Sequence, residues 1–131
     1  MKMKISFPEG KKVIARYNGF TIETDQAKID GGSESAPTPY SLFMASIGTC
    51  AGAYVLYFCH ERSIDASGIE IKLQWQRDEK THLAKTIALH LDLPATFPAK
   101  YKAAVIKAAD LCTVKRNMLD PPRFITTATI H

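Results

Sequence analysis

Residues Leu42 to Cys59, LFMASIGTCAGAYVLYFC, are eighteen in a row without a formal charge, and Cys50 lies in the middle of them. No other stretch of this 131-residue chain limits its fold as strongly. Thr38 suits a helix N-cap, and Pro39 suits the first helical position, where its missing N–H costs no hydrogen bond. A helix from Pro39 to Arg62 would be about 36 Å long at about 1.5 Å per residue. The eighteen uncharged residues reach the lower limit of a membrane span. The small and polar Ser46, Gly48, Thr49, Gly52 and Ala53 at its centre, and a mean hydropathy of -0.11 for the whole chain, favour a helix buried in protein instead. No membrane association is expected.

The segments around this helix alternate with a period of two. Met3, Ile5 and Phe7 form one short apolar alternation, ended by Pro8-Glu9-Gly10. Val13, Ala15 and Tyr17, then Asn18-Gly19, then Phe20, Ile22 and Thr24 predict a hairpin with a two-residue turn. Arg16 falls on the face opposite Val13, Ala15 and Tyr17, where a solvated strand charge is its simplest role. Residues 25–36, DQAKIDGGSESA, read as a polar, mobile loop leading into the helix. Beyond the helix, Ile69, Ile71, Leu73 and Trp75 and then Ile87, Leu89, Leu91 and Leu93 predict two long antiparallel strands, each with one wet face. Tyr101, Ala104, Val105, Ala108 and Leu111 recur at helical spacing. CTVKRNML predicts a further short helix, stopped by Asp120-Pro121-Pro122, and residues 124–130 predict a last strand from their threonine and isoleucine content. Helices segregated from antiparallel strands indicate an α+β fold, in a single domain over residues 1–131.

Charge and cysteine usage exclude several function classes. A net charge of +4 with scattered lysines and no aromatic–basic ladder argues against nucleic-acid binding. The N-terminal MKMKISFPEGKK has no apolar run of signal-peptide length, and three widely spaced cysteines do not make a secreted disulfide framework. A cytoplasmic location is expected. His82 and His90 have no carboxylate or cysteine at ligand spacing, so neither a metal nor another cofactor is expected.

Cys50 and Cys59 are nine residues apart, about 900° of helical rotation, and so face opposite ways. Cys59 reads as a packed core thiol. Cys112 closes the apolar stripe of the second helix, which can bring it against the Cys50 face. Spacing alone leaves two readings open, inert neighbours or a reversible couple.

The segment PTPYSLFMASIGTCAGAYV resembles the helix of the OsmC/Ohr family, whose motif reads Pro-x-x-Leu-(Leu/Phe)-x-Ala-x-(x)-x-x-Cys. Pro39, Leu42, Phe43, Ala45 and Cys50 match it, and Leu111-Cys112-Thr113-Val114 resembles the family's second cysteine element. The resemblance implies an OsmC-like fold, with antiparallel sheets around a long central helix in an intertwined homodimer. It also implies a thiol-dependent reduction of organic hydroperoxides or peroxide, in defence against oxidative or osmotic stress. Cys50 would be the peroxidatic thiol, Cys112 the resolving thiol, and a lipoyl or other dithiol the reductant.

Two positions depart from the peroxidase branch, in which a glutamate just after the motif proline and an arginine from the N-terminal sheet activate the thiolate. Tyr40 stands in place of that glutamate. Arg16, the only arginine before Arg62, is the candidate cation. Cys50 would lie about three turns into the helix, beyond the reach of its dipole, so a cation is needed. The pattern is closer to the less characterised OsmC-like branch. Tyr40, Phe43 and Tyr54 are candidate substrate contacts, and Phe43, Tyr54 and Tyr57 share the Cys50 face. The alternative is a redox-responsive or small-molecule-binding dimer of the same fold with little or no turnover.

Overall fold

The computed structural model describes all 131 residues and organises them into two compact units, Met1–Ala45 and Ser46–His131. The first opens with an antiparallel sheet of β1 (Lys4–Ser6), β2 (Val13–Tyr17) and β3 (Phe20–Thr24), in that order across the sheet. Asn18 and Gly19 both take positive φ, 47° and 81°, as a two-residue hairpin turn of the right twist requires. The register sets Arg16 between Lys4 of β1 and Thr21 of β3. Val13, Ala15 and Tyr17 are half-buried as expected, yet the one buried side chain of the sheet is Ile14, which shares the parity of Arg16. The alternation of β2 therefore does not divide cleanly into a wet and a dry face.

The polar loop after β3 differs from the mobile segment its composition suggests. Asp25 is buried, and its carboxylate gathers the loop around itself. Oδ1 accepts from the backbone N–H of Gln26 at 2.8 Å. Oδ2 accepts from the N–H groups of Ser33 and Ser35 at 3.3 and 3.1 Å and from the Ser35 hydroxyl at 2.6 Å. A Cβ at Gly32 would collide with the Gln26 carbonyl oxygen, so only glycine permits this closure. A polar composition describes the loop's surface. The charge buried inside it fixes its path.

Helix α1 (Pro39–Glu61) begins where the sequence indicates. The Thr38 hydroxyl accepts from the backbone N–H of Ser41 at 3.2 Å, an N-cap bond to the third helical residue. Met44, Ile47, Ala51, Val55, Phe58 and Cys59 form its buried stripe at helical spacing. Ser63 takes a positive φ of 52° and ends the helix, the N–H of Ile64 returning to the Cys59 carbonyl at 2.9 Å.

In the second unit, β4 (Glu70–Arg77) and β5 (Ala84–Asp92) form an antiparallel hairpin with Leu73 opposite Leu89 and Ile71 opposite Leu91. The apolar face of β4 lies against α1. Cβ atoms built at Gly48 and Gly52 would meet Leu73 and Ile71 at 3.6 and 3.8 Å. Helix α2 (Lys102–Asp110) adds Val105 and Ala109, and α3 (Thr113–Leu119) follows after a sharp break. The core comprises Ala51, Val55, Phe58, Cys59, Phe97, Val105, Ala109 and Cys112. Each of its large apolar side chains contributes about 1.5–3 kcal/mol relative to exposure.

The strand expected over residues 124–130 is not formed. All of residues 121–131 are exposed and none joins a ladder. Threonine and isoleucine favour extended backbone, but a strand needs a neighbour to accept its hydrogen bonds.

The hydrogen bonds from Ser35 and Gln26 hold the Asp25 carboxyl at a pKa of about 2, below its ordinary 3.8. A carboxylate depressed in this way stabilises the fold fully above its unfolded pKa and loses that effect as pH falls through its folded one. Asp25→Asn is expected to lower Tm at pH 7 by several degrees. The gap to wild type should close between pH 4 and about 2, as followed by thermal melts in circular dichroism.

Candidate active site

Cys50 is partly buried on α1, one residue round from the fully buried Ala51. One residue is about 100° of rotation, so Cys50 occupies the flank of the buried stripe. It packs against the core cluster to which Cys112 belongs. Cys112 is fully buried and caps α3, its Sγ accepting from the backbone N–H of Lys115 at 3.4 Å. Cys59 is fully buried on the opposite side of α1, and burial pushes its thiol pKa up, opposed in part by the charge of Arg62. All three thiols are free.

The second unit brings Tyr54 to the same place. Tyr54 lies one turn after Cys50, and its hydroxyl is 2.8 Å from the Thr113 hydroxyl, next to Cys112. Arg116 Nη2 donates to both oxygens, at 3.1 Å to Tyr54 and 3.2 Å to Thr113. Tyr54 also makes a tilted ring contact with Tyr57 at 6.2 Å. A polar bridge thus links the Cys50 face of α1 to the helix that Cys112 caps.

Arg16, Tyr40 and Phe43 belong to the first unit. Arg16 is exposed on β2, where its Nη1 donates to the Ser6 hydroxyl at 3.4 Å. It lines a shallow recess at the end of the hairpin together with Lys2, Lys4 and Tyr17. Tyr40 and Phe43 sit in the first turns of α1 with ring centroids 5.8 Å apart, Tyr40 half-buried and Phe43 exposed.

Sequence reasoning missed Thr113 and Arg116. The one available signal was spacing: Arg116 follows Cys112 by four residues, one turn of the predicted short helix. Its contact with Tyr54, sixty-two residues away, is set by tertiary packing.

Comparison with known proteins identifies the family. The family model for OsmC-like protein matches residues 31–127. The chain belongs to the OsmC-like family. A candidate osmotic stress induced and detoxification response protein from Psychrobacter arcticus is similar in structure, with a TM-score of 0.79 at 15% identity over 89% of this chain and 87% of that one. An OsmC-like protein from Mycoplasma pneumoniae superposes with a TM-score of 0.73 at 13% identity, covering 90% of this chain and 86% of that one. An organic hydroperoxide resistance protein OsmC from Legionella pneumophila gives 0.61 at 17% identity, covering 89% and 87%. No curated protein matches the sequence. The small antiparallel sheets and three helices are those of the OsmC-like α+β fold.

Accessibility separates the three thiols of this OsmC-like protein. Brief treatment of the native protein with iodoacetamide at neutral pH is expected to modify Cys50 and to leave Cys59 and Cys112 largely untouched. Peptide mass spectrometry would locate the label, and labelling in urea should reach all three.

Proposed function

We propose that this OsmC-like protein is a thiol-dependent hydroperoxide reductase in which Cys50 and Cys112 form a reversible couple. The observation that carries the reading is the position of Cys50, half-exposed at the edge of the core cluster that holds Cys112. The Cys50 thiolate attacks the terminal oxygen of ROOH, the O–O bond breaks, and an alcohol leaves once its alkoxide takes up a proton. Cys50 is left as a sulfenic acid. The Cys112 thiol displaces hydroxide from that sulfur, releasing water and forming a Cys50–Cys112 disulfide. An external dithiol, lipoyl or another, reduces the disulfide through a mixed disulfide and is itself oxidised. Arg16 is the proposed cation for the thiolate, and Tyr40, Phe43 and Tyr54 are proposed substrate contacts. The cytoplasm, where thiols stay reduced, is the proposed location.

Cys50→Ser is expected to abolish consumption of cumene hydroperoxide with dithiothreitol, and full activity in that variant would refute the assignment. Cys112→Ser should still oxidise once, and dimedone should trap a sulfenic acid on Cys50.

The proposed active form is an intertwined homodimer. Only 33% of the most apolar window of α1 is buried, and Leu56 and Tyr57 are exposed on it. Residues 121–131 expose Phe124, Ile125 and Ile130 beside backbone groups that no ladder satisfies. A second copy would cover the helix and supply strand neighbours. Sedimentation equilibrium is expected to give twice the 14.5 kDa chain mass, and deletion of residues 121–131 to weaken that association.

A second reading rests on Tyr40, which stands where family peroxidases carry a glutamate. Here the protein is a redox-responsive dimer that binds a small apolar molecule among Phe43, Tyr54 and Tyr57 and turns over little or no peroxide. Alkylation of Cys50 at the rate of a free cysteine would favour this second reading.

A further inference from the structure

Arg116 differs from the cations near it in its choice of partners. Lys115 is paired with Asp110 at 2.6 Å, and Asp120, four residues after Arg116, makes no ion pair with it. Arg116 instead has two hydroxyls, those of Tyr54 and Thr113, and no carboxylate neutralises it. Hydroxyl groups fix the direction of a guanidinium without cancelling its charge. Of its five N–H donors these two bonds occupy two, both on Nη2, leaving the Nε and Nη1 donors open. A planar guanidinium of this kind matches a carboxylate.

Its location gives that charge a use. Tyr54 stands one helical turn from Cys50 on the same face, and Thr113 follows Cys112 in sequence, so the guanidinium is anchored to the two residues that flank the proposed redox thiols along the chain. The ring of Tyr54, which packs against the core cluster as Cys50 does, provides apolar surface on that face. A molecule reacting at Cys50 would meet apolar surface and an oriented, unneutralised cation together.

We propose that Arg116 is a specificity residue of the Cys50 site, recognising the carboxylate of an organic hydroperoxide and orienting it toward the thiol, with Tyr54 and Thr113 as its positioning residues. This rests on the reading of Cys50 as the peroxide-reacting thiol.

The charge preference can be measured without peroxide. Iodoacetate and iodoacetamide both react with the Cys50 thiolate, forming an S–C bond and expelling iodide, and they differ in carrying or lacking a carboxylate. The ratio of their rates at Cys50 cancels the fraction of thiol ionised. Arg116→Gln is expected to lower the iodoacetate-to-iodoacetamide ratio roughly two- to fivefold, the scale of one solvent-exposed ion pair. Arg116→Lys should retain most of the preference, Tyr54→Phe should lose part of it, and added salt should compress it in wild type. A ratio unchanged in Arg116→Gln overturns the proposal.

In turnover with dithiothreitol, Arg116→Gln should lower kcat/KM for a carboxylate-bearing alkyl hydroperoxide and leave that for neutral tert-butyl hydroperoxide within about twofold. Equal loss on both substrates would assign Arg116 a structural role and also overturn the proposal. A protein that shows the Arg116-dependent alkylation bias yet reduces no hydroperoxide overturns the peroxidase reading. One that reduces hydroperoxides without the bias overturns only the inference about Arg116.

Discussion

The packing of α1 on the apolar face of β4 is the contact on which the rest of the second unit depends. Gly48 and Gly52 mark where it occurs: a Cβ at either would lie at ordinary van der Waals distance from Leu73 or Ile71 of the sheet. The approach fixes the rotation of α1 about its own axis. Ala51, Val55, Phe58 and Cys59 then face the core, and Cys50, about 100° from Ala51, falls on the flank. A thiol at position 51 would be sealed, as Cys59 is. At position 50 it stays open on one side while touching the core on the other.

Cys112 reaches the same cluster by a different device. The break between α2 and α3 places it at a helix boundary, where its sulfur accepts a backbone N–H that the helix cannot satisfy itself. The following turn carries Thr113 and Arg116 over to Tyr54, and three polar side chains bridge the two helices. Apolar burial brings the elements together. The hydroxyl–guanidinium bridge orients them and leaves a charge facing outward.

In the first unit a buried charge organises the backbone. Asp25 collects N–H groups from three residues and one hydroxyl, and Gly32 allows the chain to close around it. The stretch reads as solvated loop because Asp, Ser and Gly are loop residues in isolation. Which of its carboxylates turns inward depends on the path of the chain, and hydrophobic periodicity carries no information about that.

The sequence by itself determined the elements governed by local rules. The Asn18-Gly19 turn, the Thr38-Pro39 helix start, the alternation of β4 and β5 and the opposition of Cys50 to Cys59 all follow from backbone preferences and fixed periods acting over a few residues. Its motif also indicated the OsmC-like family, which the family match bears out. Tertiary structure alone decided which contacts those elements make: Ile14 buried beside exposed Arg16, Asp25 turned inward, residues 124–130 without a ladder, and Arg116 bonded to Tyr54. Periodicity specifies which way a side chain points from its own helix or strand. What it meets there is set by the packing of elements distant in sequence, whose approach depends on summed burial and shape across the whole unit.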